Sequence, residues 1–236
     1  MMKQVGSHRL IFWLTFIPPT LWLLIFLLIP LSIIGSFSFS EKRGLIDIEL
    51  SWILNNYIRA ADLIYLSTLI KSIGVAGITT VICFLFGFPL ALGIASAPPR
   101  WKSILLIAVI LPFCVNLLIR TYALIAVFRT RGFFNFGLEW FADLINVPFE
   151  PLSLLYNDTA VILGLVYVHL PFMILPLYAG FEGFNKTLQE AALDLGASKL
   201  ELLTSIIIPI ITPSIISGCI LVFIPALGSY LTPELL

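Results

Sequence analysis

Hydrophobic and polar positions in this 236-residue chain alternate in long blocks rather than in short periods. Between Arg9 and Glu41 lie 31 uncharged residues, and between Lys71 and Arg100 another 28; residues 159–181 and 202–233 add runs of 23 and 32. A further run, 103–128, is interrupted by a single charge, Arg120. About 20 apolar residues carry a helix through the hydrocarbon of a bilayer. With no water there to satisfy an open backbone, a lone segment crosses only as a helix. The pattern therefore predicts five membrane-spanning helices, over about 10–36, 66–97, 101–128, 159–180 and 202–227. The fold class is an all-α polytopic membrane protein, with 1–236 as a single transmembrane domain.

The polar blocks between the spans set the topology. Residues 37–65 and 129–158 form two longer loops, the second rich in aromatic residues, while Pro98-Pro99-Arg100 closes the second span in a short turn that Lys102 continues. Positive charge at high density in a short loop marks the cytoplasmic side. This places the N-terminus inside, the loops 37–65 and 129–158 outside, and the segment 182–201 in the cytoplasm. The second span carries Gly74, Gly77, Gly87, Ala91 and Gly93, small residues that let helix backbones approach closely in lipid. Pro171, Pro176, Pro209 and Pro213 kink the fourth and fifth spans, either as hinges or simply as shape.

Composition narrows the function. With 60% hydrophobic and 11% charged residues and zero net charge, the chain has no basic surface for nucleic acid. Cys83, Cys114 and Cys219 all fall within spans and form no CxxC, so neither a disulfide framework nor a metal site is expected. The first apolar run is too long for a signal peptide and is read as a retained helix. No G-x-S-G or H-E-x-x-H motif is present, and the two histidines, His8 and His169, are far apart; an intramembrane hydrolase lacks its residues. An ion-coupled carrier, the weaker rival, calls for inverted repeats or intramembrane carboxylates, and the spans carry no Asp or Glu. The reading is a non-catalytic transport subunit without a cofactor.

One cytoplasmic stretch, TLQEAALDLGASKLELLTSIIIPI (187–210), interrupts the apolar pattern with charge. Thr187 with Glu190 and Ser198 with Glu201 have capping-box spacing, and Gly196 stands where a helix ends in left-handed geometry. Two short helices joined at Gly196 follow, the first over about 188–195. Leu188, Ala191, Ala192 and Leu195 share one face by helical spacing, and Glu190 and Asp194 another. A helix this short needs support. It either inserts into a groove on another protein or rests on the membrane surface.

Glu190-Ala191-Ala192, then Gly196, then Ile206-x-Ile208-Pro209, resembles the EAA signature of ABC-importer permeases, with Ile208 at the family's leucine place. The stretches LPFCVNLLIRTYALIAVFRTRGFFN (111–135), GLVYVHLPFMILPLYAGFE (164–182) and IPALGSYLTPELL (224–236) resemble permeases of spermidine/putrescine importers. The resemblance implies a type I ABC-importer bundle of six spans. Five are found here, so a fragment or an early stop is expected. It also implies polyamine uptake, or uptake of another small solute by a related importer, across a bacterial inner membrane. The implied partners are a cytoplasmic ATPase dimer docking on Leu188, Glu190, Ala191, Ala192, Asp194, Leu195 and Gly196, a second permease subunit, and an extracytoplasmic solute-binding protein.

Candidates for the translocation path are Asn116, Tyr122, His169, Tyr178 and Tyr230. Each has a structural alternative: an interhelical hydrogen bond for Asn116, packing for His169, ordinary membrane-helix aromatics for the tyrosines. Arg120 lies 18 residues beyond Lys102, about 27 Å along a core of about 30 Å, so it can snorkel outward as an interface anchor. As the one charge inside a span it also stands as a functional candidate, structural or gating.

Overall fold

The structure is a computed structural model that describes residues 3–43, 47–50, 52–145 and 147–229. Its contacts divide it into two units, Met1–Leu69 and Ile70–Leu236.

The first unit opens with α1 (Lys3–Ser38), which continues through Pro18, Pro19 and Pro30. From Phe12 onward α1 exposes large apolar side chains on every side, Trp22 and Leu23 among them, as a helix facing lipid or another membrane helix does. Next comes an antiparallel hairpin, β1 (Ser40–Arg43) with β2 (Asp47–Leu50), in register from Ser40 opposite Leu50 to Arg43 opposite Asp47. A short helix, α2 (Asn55–Ala60), follows. The Asn56 amide donates to the carbonyls of Ser38 and Ser40 at 3.0 and 2.9 Å. The Phe39 ring sits 5.7 Å from Trp52 and 5.6 Å from Tyr57. The stretch expected as a loop is thus folded on its own local contacts.

In the second unit, α3 (Leu63–Ser96, its first turns in the first unit) leads into α4 (Pro99–Ile110) and a 3₁₀ turn at Leu111–Cys114. Then come α5 (Leu117–Phe128), α6 (Phe133–Leu144), α7 (Asp158–Glu182) and α8 (Lys186–Asp194). The single turn α9 (Lys199–Glu201), a wide π turn at Leu202–Ile207 and α10 (Ile208–Leu227) close the order.

Among the described residues four helices are long and apolar enough to cross a membrane: 12–38, 63–96, 158–182 and the continuous rod 199–227. The expected span at 101–128 is corrected. It is not one rod, because 99–114 and 117–144 meet at a 95° bend, and together they make a fifth crossing only as a broken pair. The cause is local. Pro112 lies in the 3₁₀ turn, Val115 is extended at φ −81°, ψ 139°, and Asn116 starts a new helix by accepting the Leu118 N–H at 2.8 Å. Asn is a strong helix-starting residue, and here it restarts a helix in an apolar run.

The 129–158 loop also holds more structure than its polar pattern indicated. Asn135 on α6, only 3% exposed, donates to the carbonyls of Thr130 and Leu152 at 3.0 and 2.9 Å and accepts the Leu152 N–H at 3.0 Å. One buried amide thereby ties both ends of the loop together. The turn before α6 needs Gly132, where a Cβ would lie 2.6–2.7 Å from the carbonyl oxygens of Ala126, Val127 and Arg129.

The core runs along α7. Met173, Ile174 and Leu177 are buried between Cys83, Ala91 and Ile94 of α3 and Ile211 and Val222 of α10. Met173 is the central knob. A Cβ at Gly87 would come 2.8 Å from its Cγ, and one at Gly218 3.0 Å from its Sδ. Gly180 meets Ser214 as closely, with a Cβ there 2.7 Å from the Ser214 Cβ. Lipid tails offer helices no hydrophobic reason to associate, so this interlocking of small residues with a flexible thioether is what holds the three together. Ion pairs mark both ends of α7: Asp158 with Lys71 at 2.8 Å and Glu182 with Lys102 at 2.6 Å.

Two predictions follow from the close approaches. Gly180→Ala overpacks the α7–α10 contact and lowers stability by about 1–3 kcal/mol, whereas Gly74→Ala, with open space around its Cβ, leaves it unchanged or slightly raised; thermal melts in detergent compare them. Gly132→Ala drives a methyl into three carbonyls and exposes 129–158 to protease, and a digestion time course identical to that of the parent refutes the reading.

Candidate functional site

The charged segment after α7 folds as a helix, a sharp stop and a second helical start. Asn185 opens α8, its Oδ1 accepting the Thr187 N–H at 3.0 Å and the Thr187 hydroxyl at 2.7 Å. This corrects the expected start: Asn185, not Thr187, is the cap, and the helix begins at 186 rather than 188 because Asn185, two residues earlier, already caps it. At the other end Gly196 adopts φ +89°, the Gly196 N–H bonds the Leu193 carbonyl at 2.9 Å, and the Ala197 N–H reaches the Ala192 carbonyl at 3.0 Å. These two bonds form the left-handed glycine stop that satisfies a helix's last carbonyls. Ser198 and Glu201 then make a reciprocal capping box, the Ser198 N–H donating to the Glu201 carboxylate at 2.8 Å and the Glu201 N–H to the Ser198 hydroxyl at 3.2 Å.

The wide turn Leu202–Ile207 links this segment to α10. Pro209, two residues beyond it, has no N–H for the Ser205 carbonyl and its ring crowds that turn. The helix responds by widening rather than by breaking, and such π turns recur at functional positions.

Burial separates the residues that spacing had grouped. Ala192 is 7% exposed and joins the core cluster with Leu202 and Ile207. Leu188, Glu190, Ala191, Asp194, Leu195 and Gly196 are exposed, Leu195 at 89%. The expected single apolar face is therefore divided. Ala192 seats α8 on its own chain, while Leu188 and Leu195 point away from it. A cavity of about 470 Å³ lies beneath α8, lined by Leu92, Ser96, Lys102, Phe184, Glu190 and Leu193 among others. The helix is thus propped at one side over a partly polar space, with the Lys102–Glu182 pair beside it.

The path candidates fall on two helices. Asn116 and Tyr122 belong to α5; Asn116 uses its amide oxygen as the helix cap, and Tyr122 is 59% exposed. His169 and Tyr178 belong to α7. His169 is buried, its Nδ1–H donating to the Leu165 carbonyl at 2.8 Å, and Tyr178 packs half-buried against the core cluster. Tyr230 lies outside the described residues. Among the described residues no group of three His, Cys, Asp or Glu converges as a metal site needs.

Arg120 does not snorkel. It is 8% exposed, with its Cζ 5.8 Å from the centre of the Phe113 ring. Because the helix is broken at Asn116, the distance to the interface along a straight rod no longer applies. Phe113 packs edge-on against Phe172 at 5.2 Å, and Phe172 lies 6.1 Å from His169. This aromatic chain between the elbow and α7 was missed in the sequence. Residues 113 and 172 are far apart there, and their contact is made between helices.

Residues 85–236 match the family described as the inner membrane component of binding-protein-dependent transport systems. The chain is 40% identical over 216 residues to the spermidine/putrescine transport system permease protein PotB of Escherichia coli K12, covering 91% of this chain and 77% of that one. PotB of Haemophilus influenzae is 37% identical, with 91% and 74% covered. The inner membrane ABC transporter permease protein YdcU of Escherichia coli K12 is 28% identical over 71% of this chain and 56% of its own. In three dimensions the chain resembles a crystal structure of a bacterial ABC transporter involved in the import of the acidic polysaccharide alginate, at a TM-score of 0.65 and 20% identity, covering 96% of this chain and 76% of that one; the likeness is one of fold. The protein belongs to the family of inner-membrane components of binding-protein-dependent transport systems, as a multi-pass ABC-importer permease subunit.

Proposed function

We propose that this protein forms half of the translocation pathway of an ATP-driven polyamine importer, with spermidine and putrescine as solutes. The observation that carries the substrate class is the 40% identity to a spermidine/putrescine permease over 91% of the chain. The spans supply no carboxylate, so an ammonium-bearing solute meets aromatic faces and backbone carbonyls here. Any acidic group it needs comes from a second permease subunit. An extracytoplasmic binding protein delivers the solute, and the N-terminus lies in the cytoplasm with the Arg100–Lys102 turn.

The coupling role rests on the shape of 186–201. α8 exposes Leu188 and Leu195 at its two ends, small Ala191 between them, and Glu190 and Asp194 beside them, which suits a groove on a cytoplasmic ATPase. One copy of an ATPase dimer holds this helix and the other holds the second permease. When the dimer closes, α8 moves. Ala192 and the wide turn at Leu202–Ile207 pass that motion to α10, and the Lys102–Glu182 pair ties the neighbouring ends of α4 and α7 to it. The chain itself performs no chemistry; the ATPase does.

Uptake of labelled spermidine by cells carrying the full transporter tests the solute. Uptake that excess putrescine and spermidine leave unchanged overturns the polyamine assignment. Glu190→Ala reduces ATPase co-purification by about fivefold, the loss of one interface contact of about 1 kcal/mol, and parental yield contradicts the docking role. Gly196→Val has open space for its side chain but not for its backbone, since φ near +89° costs a β-branched residue at least about 1–2 kcal/mol. It shifts α8 relative to α9 and lowers uptake more than it lowers ATPase recovery; equal uptake with parent rules this out.

A further inference from the structure

We infer that α6 is a membrane-surface helix: its aromatic face lies in the headgroup layer of the leaflet remote from α8, with a phospholipid phosphate held at Arg131. The leaflet follows from the order of elements. α6 precedes the Asp158 end of α7 and α8 follows the Glu182 end, so a crossing by α7 puts them on opposite sides.

Three arcs around α6 carry the inference. One faces the chain itself, where Asn135 and Ala142 are buried, two turns apart. The second is acidic and exposed, with Glu139 and Asp143 one turn apart. The third is apolar and points away from the chain. Phe133, Trp140 and Leu144 stand on it at 77%, 64% and 65% exposed, with Phe141 at its edge. At about 100° per residue, Phe141 falls opposite the acidic pair, and Phe133 opposite the buried one. A helix with protein, water and an aromatic surface on separate sides has the make-up of one lying in the membrane interface at the rim of a bundle.

The start of the helix indicates what covers the aromatic arc. A cavity of about 370 Å³ opens between α5 and α6, lined by Ala126, Arg131, Gly132, Phe133 and Phe136. Ala126 ends an exposed stripe on α5 that begins at Ile119 and passes Tyr122, all on one helix face. Phe133 begins the arc on α6. An apolar track along one arm of the broken crossing therefore leads into the surface helix, with a guanidinium where the two meet.

A phospholipid has the same order of parts, an acyl chain and then a phosphate. Arg129 and Arg131 are exposed, and neither is in an ion pair among the described residues. The planar fork of an arginine matches phosphate oxygens, and its stem lies along apolar surface while the charge reaches the headgroups. The mount is firm. Phe128 of α5 packs edge-on against Phe134 at 6.4 Å, and the Asn135 amide holds Leu152 from the buried side. α6 is thereby fixed with its aromatic arc outward, independently of any solute.

The test uses the full transporter in liposomes of phosphatidylethanolamine and phosphatidylglycerol, with other cysteines replaced by serine. A spin label is placed in turn by Phe133→Cys, Trp140→Cys and Glu139→Cys, and its collisions with oxygen, which concentrates in lipid, and with a water-soluble nickel chelate are compared. At 133 and 140 oxygen collisions exceed chelate collisions several-fold. At 139, on the same helix, the ratio reverses, which an unfolded chain could not do. Labels at 133 and 140 that meet the chelate as freely as 139 overturn the inference. Labels there that meet neither reagent also overturn it, because a protein partner then covers the face. In the same liposomes a photoreactive phosphatidylglycerol cross-links to the 119–136 segment, and Arg131→Gln lowers the yield about fivefold. An undiminished yield, or no cross-link to that segment in the parent, is equally fatal to it.

Discussion

Inside a bilayer a helix can stop only where something other than water takes up its free N–H and C=O groups. The candidate features of this chain sit at helix stops, one within an apolar run and others in the exposed segment after α7. Asn116 caps α5 within an apolar run and makes the 95° elbow possible. Gly196 closes α8 with two backbone bonds, and Ser198 and Glu201 open the next turn with two more. Pro209 leaves one carbonyl without its usual donor, and the helix widens over Leu202–Ile207 without ending. Continuous rods between these points give rigidity. The breaks give the chain a short exposed helix, α8, at one place and a charged elbow at another.

Rigidity between the breaks depends on close packing of small residues around one thioether. Met173 fills the space that Gly87 and Gly218 leave open, and Gly180 admits Ser214. α7 is thereby locked to both α3 and α10. Ala192 of α8, Leu202 and Ile207 of the wide turn and Ile211 of α10 belong to the same packed cluster as Met173 and Leu177 of α7, which is the physical basis of the proposed coupling. The Lys102–Glu182 pair closes a second route from α7 to the start of α4. Half-exposed ion pairs contribute little stability by themselves. Their value here is positional, holding the start of α4 and the end of α7 together beside the cavity under α8.

The spans were legible because membrane burial imposes one simple rule, a run of about 20 apolar residues, and four rods obey it. Gly196 was legible for a similar reason: few residues other than glycine accept φ +89°. The Ser198–Glu201 box was legible from spacing alone. Other features depended on competition that spacing does not encode. Thr187 and Asn185 are both good caps, and the earlier one took the helix start. Pro112 and Asn116 were present in the sequence, but hydropathy averaged over them and the elbow vanished into a single span. Arg120 then appeared free to snorkel, and only the bend shows it folded over Phe113. The hydrogen bonds by which Asn135 ties 130 to 152 have no signature in spacing.

The account stands on α8 being the handle by which a nucleotide-driven partner moves the membrane helices. Cysteine cross-linking from position 195 tests this most directly, because Leu195 is the most exposed apolar residue of the segment and plays no part in holding the chain together. In membranes carrying the whole transporter, with Cys83, Cys114 and Cys219 replaced by serine, Leu195→Cys is expected to form a disulfide with cysteines placed along the ATPase groove, with a yield that changes between ATP-bound and nucleotide-free states. A Cys at 195 that is labelled by impermeant reagent from the outer face, or that forms no cross-link to the ATPase in either state, contradicts the account.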